Sequence, residues 1–498
     1  GNPPIISSAI TINDLNINAG ATTTIAPGKS LTVNGNFINN GNLIVNSTAT
    51  NSGTLIVKGT STGNVTYKRG GLLANKWSVI AAPVANQKVK DFATNVDNDI
   101  RKNNDAIKKY AIARYNDENV SGKWEYFKED LDENAVFSSG EGYSISRGSN
   151  GEISLTGTIL VNDVVKTVLP NKWNLIGNPF TAFLPMNKNS NSNFINENFA
   201  KLNDANKGIY LWDNSQNKYA VSTLIDDLQR ALAPGQGFFI RPKEGVNNIT
   251  FKENQRIIQP SSNNVFNKSN SGSPSIELLL SDKIYTVKTA IKFFDNATRG
   301  FDPGYDIGNF NSSFDVFTKL VFGNNNEFFT IQSLKTNDYN NLEIPIGVNA
   351  KANTELSFGL NISNIPNTIT VTIEDRVNNE FFTFNSETSK FKRTISSDLS
   401  GFGQFFLHIS EAKSLGVATD EMNGIQIYIR NNNILAVKGL SLDKNDLHIY
   451  DLQGKRVFNS KLLTQNNSEI QIPQLSKGVY LVKIKNKLGM TDKKIVIK

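Results

Sequence analysis

The chain contains no cysteine, two histidines and three methionines in 498 residues. The first absence excludes disulfides, thiolate metal sites and cysteine nucleophiles. The second leaves a histidine-based zinc centre or catalytic triad almost nothing to work with. Both histidines, His408 and His448, fall in alternating patterns ("FFLHIS", "LHIY") that read as ordinary strand positions. No apolar run approaches the roughly 18–20 residues of a transmembrane helix. The opening "GNPPIISSAI" has neither a charged n-region nor an apolar h-region, so the expectation is that any signal peptide has already been removed. H-E-x-x-H is absent. "PGKS" at Pro27–Ser30 resembles the end of a phosphate loop, but Thr23 stands where its first glycine belongs. Asp226 and Asp227 are adjacent, so they point different ways and do not form the convergent pair a glycosidase needs. The expectation is a chain without catalytic residues, metal or cofactor.

What remains is rich in Asn, Thr, Ser and Gly, with β-branched and aromatic residues in short bursts between turn clusters. That pattern predicts strands and turns, hence an all-β protein. A chain of 498 residues exceeds what one core usually supports, so several domains are expected. Charge is unevenly placed. Residues 421–498 hold 13 of the 52 Lys/Arg and 6 of the 45 Asp/Glu, which leaves 39 of each sign in the rest. The whole excess of +7 therefore sits in the last block. Its basic residues are spread over many strands without interleaved aromatic platforms, which argues against nucleic acid as a partner.

Along the chain, "LTV" at Leu31 and "LIV" at Leu43 and Leu55 recur every 12 residues, separated by Asn/Gly turns. One strand and one turn per period predict a short β-solenoid-like start over residues 1–70. Residues 71–165 and 166–258 read as tandem β-modules. "NKWSVIAAPV" (Asn75–Val84) matches "NKWNLIGNPF" (Asn171–Phe180), "IARYND" (Ile112–Asp117) matches "IYLWDN" (Ile209–Asn214), and "SSGEGYSISR" (Ser138–Arg147) matches "APGQGFFIRP" (Ala233–Pro242), all at offsets of 95–97 residues. "NVDNDIRKNNDAIKKY" and "VSTLIDDLQRAL" are candidates for short helices. All four tryptophans, Trp77, Trp124, Trp173 and Trp212, lie in the pair. Their recurrence favours core positions, while an exposed β-platform would let them stack on sugar rings, so they are the candidate ligand aromatics. Residues 259–275 form a polar linker. Residues 276–410 alternate in short strands and predict an antiparallel β-sandwich. Asp295, Asp302 and Asp306 in its glycine-rich loop fit no standard calcium spacing and read as solvated turn residues. Residues 411–423 are a second linker.

Residues 424–498 carry seven strand candidates, consistent with a compact Ig-like seven-stranded β-sandwich. "IYDLQGKRV", "LSKGVYLVKI" and "KKIVIK" follow one another there. This block resembles the type A C-terminal sorting domain of type IX secretion system cargo of the Bacteroidetes, and the tandem modules and the domain before the block also resemble segments of exported proteins of that group. By the resemblance, Asp451 and Gly454 mark a hairpin, Leu475, Gly478 and Tyr480 open the penultimate strand, and Lys493, Lys494, Ile495 and Val496 belong to the basic, apolar final strand. The resemblance implies secretion across the outer membrane to the cell surface or medium. It implies as partners an outer-membrane translocon barrel, a shuttle β-barrel and a sortase-like processing protease that cleaves the domain and can attach cargo to lipopolysaccharide. The passenger is then expected to be a non-enzymatic, adhesin-like or motility-linked structural surface protein, with a surface glycan as a possible partner. The alternative is a carbohydrate-binding or polysaccharide-degrading protein.

Overall fold

A computed structural model describes residues 2–187, 192–213, 218–226, 229–260, 273–323, 327–411, 426–430, 433–438, 444–451, 453–463, 467–486 and 489–497. The centres of both expected linkers lie outside the described residues. The chain is all-β and multi-domain. It divides into one compact unit of residues 1–366 and 371–409 and a second of residues 367–370 and 410–498.

The first unit opens as a three-faced parallel solenoid. Strands Ile5–Ile6, Thr22–Ile25, Asn42–Val45 and Val65–Leu72 stack on one face. Ala9–Ile12, Ser30–Val33 and Thr54–Val57 stack on the second, and Leu15–Ile17, Phe37–Asn39 and Ser61–Thr62 on the third. The rung is therefore three strands long, a correction to the one-strand period. Leu31 pairs with Leu55, while Leu43 pairs with Thr23 and Val65 on another face. The 12-residue spacing alternates between faces because every second occurrence lands one full rung along. Val33, Phe37, Leu43, Val45 and Val57 are wholly buried in the axis. The Asn-rich corners are stitched between rungs: Asp14 Oδ1 accepts Asn36 N–H at 2.6 Å, and Asn36 Oδ1 accepts the Thr60 hydroxyl at 2.7 Å. Short polar side chains that cap neighbouring backbone explain why Asn dominates these turns.

Two modules follow with identical strand order. In the first, Trp77–Ala81, Gly142–Ser146, Lys109–Tyr115 and Trp124–Lys128 are neighbours in that order. In the second, Asn174–Gly177, Gly237–Ile240, Gly208–Asp213 and Lys218–Thr223 occupy the same places. Asn75 (φ 57°) and Asn171 (φ 54°) make the same left-handed turn, and their N–H groups bond the equivalent carbonyls of Arg147 and Pro242. The modules meet reciprocally. Ile80 bridges Gln236 while its equivalent Ile176 bridges Glu141, and Ala81 N–H bonds Gly235 O (2.8 Å) as Gly177 N–H bonds Gly140 O (3.0 Å). Reciprocal contacts of this kind are the signature of a two-fold relation, here internal to one chain.

Sequence expectations of two kinds change here. The boundaries at 70/71 and 165/166 fall inside strands: Val65–Leu72 pairs with Gly151–Gly157, and Val164–Thr167 pairs with Asn248–Phe251. Each module thus begins one strand earlier, and the first shares that strand with the solenoid. Neither expected helix forms among the described residues. The first module's helix is Val89–Thr94, and it stops where Asn95 Oδ1 takes Asp97 N–H at 3.0 Å, a local bond that competes with helix continuation. Within 221–232, strands Lys218–Thr223 and Ala231–Leu232 flank a turn held by the Asp226 carboxylate on Thr223 N–H (3.1 Å) and the Ser222 hydroxyl (2.9 Å). Asp227 lies outside the described residues.

The expected sandwich of residues 276–410 is an eleven-stranded sheet running from Ser275–Ser281 to Leu399–Glu411. It is not wholly antiparallel. Thr286–Phe294 pairs in parallel with Phe329–Lys335, and the long excursion between them supplies the crossover that a parallel pair requires. That excursion contains the acidic loop. Asp306 is not solvated but wholly buried, accepting Asp302 N–H (2.7 Å) and Ser333 N–H (2.6 Å). Burial pushes its pKa up to about 7, and burial likewise pushes Asp315 up to about 6. His408 sits on the last strand against Glu374, at 2.8 Å.

In the second unit, Gln426–Arg430, Ile434–Lys438 and Asn467–Gln471 form one sheet, and Arg456–Leu463, Lys444–Tyr450, Gly478–Asn486 and Gly489–Ile497 form another. Leu435, Val437, Leu447, Ile449, Val482 and Ile484 fill a core contributed by both sheets, which is a seven-stranded sandwich.

Candidate functional site in a cleft beside the second module

A cleft of about 580 Å³ opens between the solenoid loop Ser47–Ser52, the strand Val65–Leu72 and second-module residues around Trp212 and Pro234. Its geometry starts with a bulge. Arg69 pairs with Ile153 and Leu72 with Gly151, so Gly70 and Gly71 together face one residue of the partner strand. Gly71 has φ +78°, and a Cβ there would lie 2.5 Å from Ala49 Cα. Only glycine lets the loop fold this closely onto the strand. The loop is pinned by Ser47 Oγ–H on Lys68 O (2.7 Å) and by Gln259, whose Oε1 takes Ser52 N–H at 2.8 Å. Tyr67 is buried beneath, its hydroxyl 2.9 Å from Ser52 Oγ, and burial raises its pKa.

The bulge turns Arg69 across the seam between the modules. Its Nη1 donates to Gly235 O (2.8 Å) and Val79 O (3.3 Å), while its Nε and Nη2 have no hydrogen bond and no carboxylate pairs with it among the described residues. Burial pulls its pKa below the usual arginine value, yet a guanidinium stays charged. Trp212 supplies an apolar wall beside Phe183 and Pro234. Its indole N–H is shut off from solvent without an acceptor. The described lining residues offer hydroxyls, amides, one cation and aromatic carbon, and they include no carboxylate or imidazole.

The four sequence-nominated tryptophans are not gathered on one face. Trp124, Trp173 and Trp212 belong to an aromatic cluster linked through Tyr115, Tyr210, Tyr219, Phe239 and Phe310. Trp173 is closed in by Tyr210 (4.7 Å between centroids) and Phe310 (4.4 Å), so it packs as core between the second module and the eleven-stranded sheet. Trp77, its equivalent, is 38 % exposed and touches Tyr126 edge-on at 5.9 Å. Of the four, Trp212 alone lines the cleft. Sequence reasoning missed Tyr67, Arg69, Gly70 and Gly71. The available signal was "YKRGGL", where two glycines interrupt an alternating strand just after a cation.

The nominated sorting residues lie in the second unit. Asp451 and Gly454 build the hairpin between Lys444–Tyr450 and Arg456–Leu463. Asp451 Oδ1 accepts Gln453 N–H (3.0 Å) and Lys455 N–H (2.9 Å), and Gly454 takes φ +79°. Leu475 packs on the core, Tyr480 is 8 % exposed with its hydroxyl donating to Ser476 O at 3.0 Å, and Gly478 opens its strand opposite Ile497. The final strand is a sheet edge. Ile495 points into the core, while Lys493, Lys494 and Val496 are exposed along it. Charged side chains on an edge discourage indiscriminate strand pairing. Lys498 lies outside the described residues.

Residues 426–498 match the family described as a secretion system C-terminal sorting domain, and residues 1–397 match one described as a domain of unknown function, DUF8693. No curated protein matches the chain. Among solved structures, a biofilm associated protein BSP domain aligns at 11 % identity over 87 % of this chain and 96 % of that one, with a TM-score of 0.13, a superposition too poor to transfer fold or function. The terminal match makes the chain a type IX secretion cargo, exported across the outer membrane to the cell surface or beyond, whose sorting domain engages that machinery. Its passenger, matched over residues 1–397, places the chain in the DUF8693 family.

Proposed function

We propose that the passenger is a non-enzymatic, adhesin-like recognition body displayed at the cell surface, delivered by the sorting domain through a translocon barrel and an outer-membrane shuttle and processed by a sortase-like protease. The observation that carries this reading is the composition of the cleft. Its walls can bind through hydroxyls, amides, a guanidinium and aromatic carbon, while the described lining residues include no carboxylate or imidazole, the commonest general acids and bases. The backbone that forms it is fixed by a glycine bulge and by strand pairing on both sides, which suits recognition by a preformed surface.

The test incubates the purified chain with bacterial and algal polysaccharides and follows both bound protein and newly released reducing ends. Saturable binding without release is expected. Release of product at any enzymatic rate would overturn the reading.

A further inference from the structure

Arg69 is a cation that the protein itself leaves half used. Its two hydrogen bonds both leave from Nη1 and both go to neutral carbonyls. The remaining edge, Nε with Nη2, is the side of a guanidinium that fits a carboxylate through two parallel bonds. No acid of the described chain takes that edge. The bulge at Gly70 and Gly71, strained for any other residue type, holds the strand in the shape that turns Arg69 into the seam. A single guanidinium matches a single negative charge better than a phosphate dianion.

The walls on either side differ in kind. One is the Ser47–Ser52 loop, whose backbone and hydroxyls are polar. The other is Trp212 with Phe183 and Pro234, which presents carbon. A pyranose ring has the same two-sidedness, with a hydroxyl rim and an apolar C–H face that packs on an indole. A volume near 580 Å³ holds a ligand of about two sugar rings.

We infer that this cleft is a subsite for a sugar bearing a carboxylate, with Arg69 as the anchor for the acid group and Trp212 as the plate for the carbon face. The inference rests on the recognition reading and narrows it to acidic polysaccharides.

Calorimetry on the full chain tests it, with glucuronyl-glucose, the matched neutral disaccharide cellobiose, inorganic phosphate and sulfate as probes. The acidic disaccharide is expected to bind at least about tenfold more tightly than cellobiose, the scale of one charge-assisted bidentate contact. Arg69→Gln should reduce it to the cellobiose level. Trp212→Phe should weaken both sugars and remove the ligand-dependent change in tryptophan emission. It also serves as the second variant should Arg69→Gln not fold by circular dichroism. Equal affinities for the two disaccharides, retention of the preference in Arg69→Gln, an unchanged emission response in Trp212→Phe, or tighter binding of phosphate or sulfate would each overturn the assignment. A chain that holds polysaccharide but neither disaccharide would sink the subsite and leave the recognition reading standing. Failure to hold either would sink both.

Discussion

The two modules share a backbone and differ in one row of side chains. Across the first sheet the row reads Val79, Ser144, Ala113, Tyr126, and across the second it reads Leu175, Phe239, Tyr210, Val221, with the same register between neighbours. Small residues occupy the middle of the first row and aromatics the middle of the second. Phe239 and Tyr210 carry the packing that receives Phe310, Ile307 and Ile331 of the eleven-stranded sheet, and the Tyr210 hydroxyl bonds Gly308 O at 2.8 Å. The first module adds only the partly buried Val79, Tyr115 and Trp124 to that cluster, and its Trp77 remains 38 % exposed. Duplication therefore preserved the frame, the turns and the mutual seam, and it changed the face that each copy shows. One copy became a mounting surface. The other kept a modest aromatic pair and a shared strand with the solenoid.

The strongest way to break this contrast is to empty the second row. Phe239 is 1 % exposed and contacts Tyr115, Trp124, Tyr219 and Phe310. Phe239→Ala should cost about 3–5 kcal/mol in urea unfolding, while Ser144→Ala at the equivalent place should cost under about 1 kcal/mol. Similar losses at both sites would show that the rows are not functionally distinct. A smaller effect comes from pH. Asp306 and Asp315 lie in the part of the sheet around Ile307 and Phe310, and burial raises both pKa values, to about 7 and about 6. A raised carboxyl pKa means that the folded chain holds the proton more tightly than the unfolded chain. The stabilisation is thus full near the unfolded value of about 4 and is lost as pH rises to about 7. The urea midpoint of the first unit should rise between pH 8 and pH 5, and Asp306→Asn should flatten that slope. A midpoint that falls over this interval would contradict the raised pKa values of these buried carboxyls. The smallest effect sharpens the equivalence. Asn75→Ala and Asn171→Ala each put alanine, which adopts the left-handed region less readily than asparagine, into the same turn, and each should cost about 1 kcal/mol. A difference beyond about 0.5 kcal/mol between them would show that the shared turn has also diverged.

Much of this was legible before any coordinates. Matched turns such as "NKW" and "PGQG" gave the duplication, because a left-handed Asn or Gly has to recur wherever the same turn recurs. Alternation gave six strands of the eleven-stranded sheet, while Ile307–Gly308, Phe329–Lys335, Leu342–Ala350, Glu380–Thr383 and Phe391–Thr394 were not singled out. The solenoid was legible in kind and misread in period, since Leu31 and Leu43 look alike while lying on different faces. The sorting hairpin was the clearest, its Asp451 and Gly454 being local turn chemistry. The cleft was not legible. Arg69 meets Gly235 O across more than 160 positions of sequence, and no local pattern records a contact of that range. Asp306 was misjudged for the same reason: its partner Ser333 comes from a distant strand.

The strand Val65–Leu72 is paired in parallel with Asn42–Val45 on one side and antiparallel with Gly151–Gly157 on the other. For a lineage changing by insertion, that double engagement acts as a stop. Further rungs can be added to the solenoid ahead of Asn42, each lengthening the rod by about 4.8 Å, but none can follow Val65 without unseating the first module. The loop Ser47–Ser52 and Arg69 both lie on the protected side of that limit. Reach and recognition can therefore vary independently: descendants of this chain can grow longer arms while carrying the same hand.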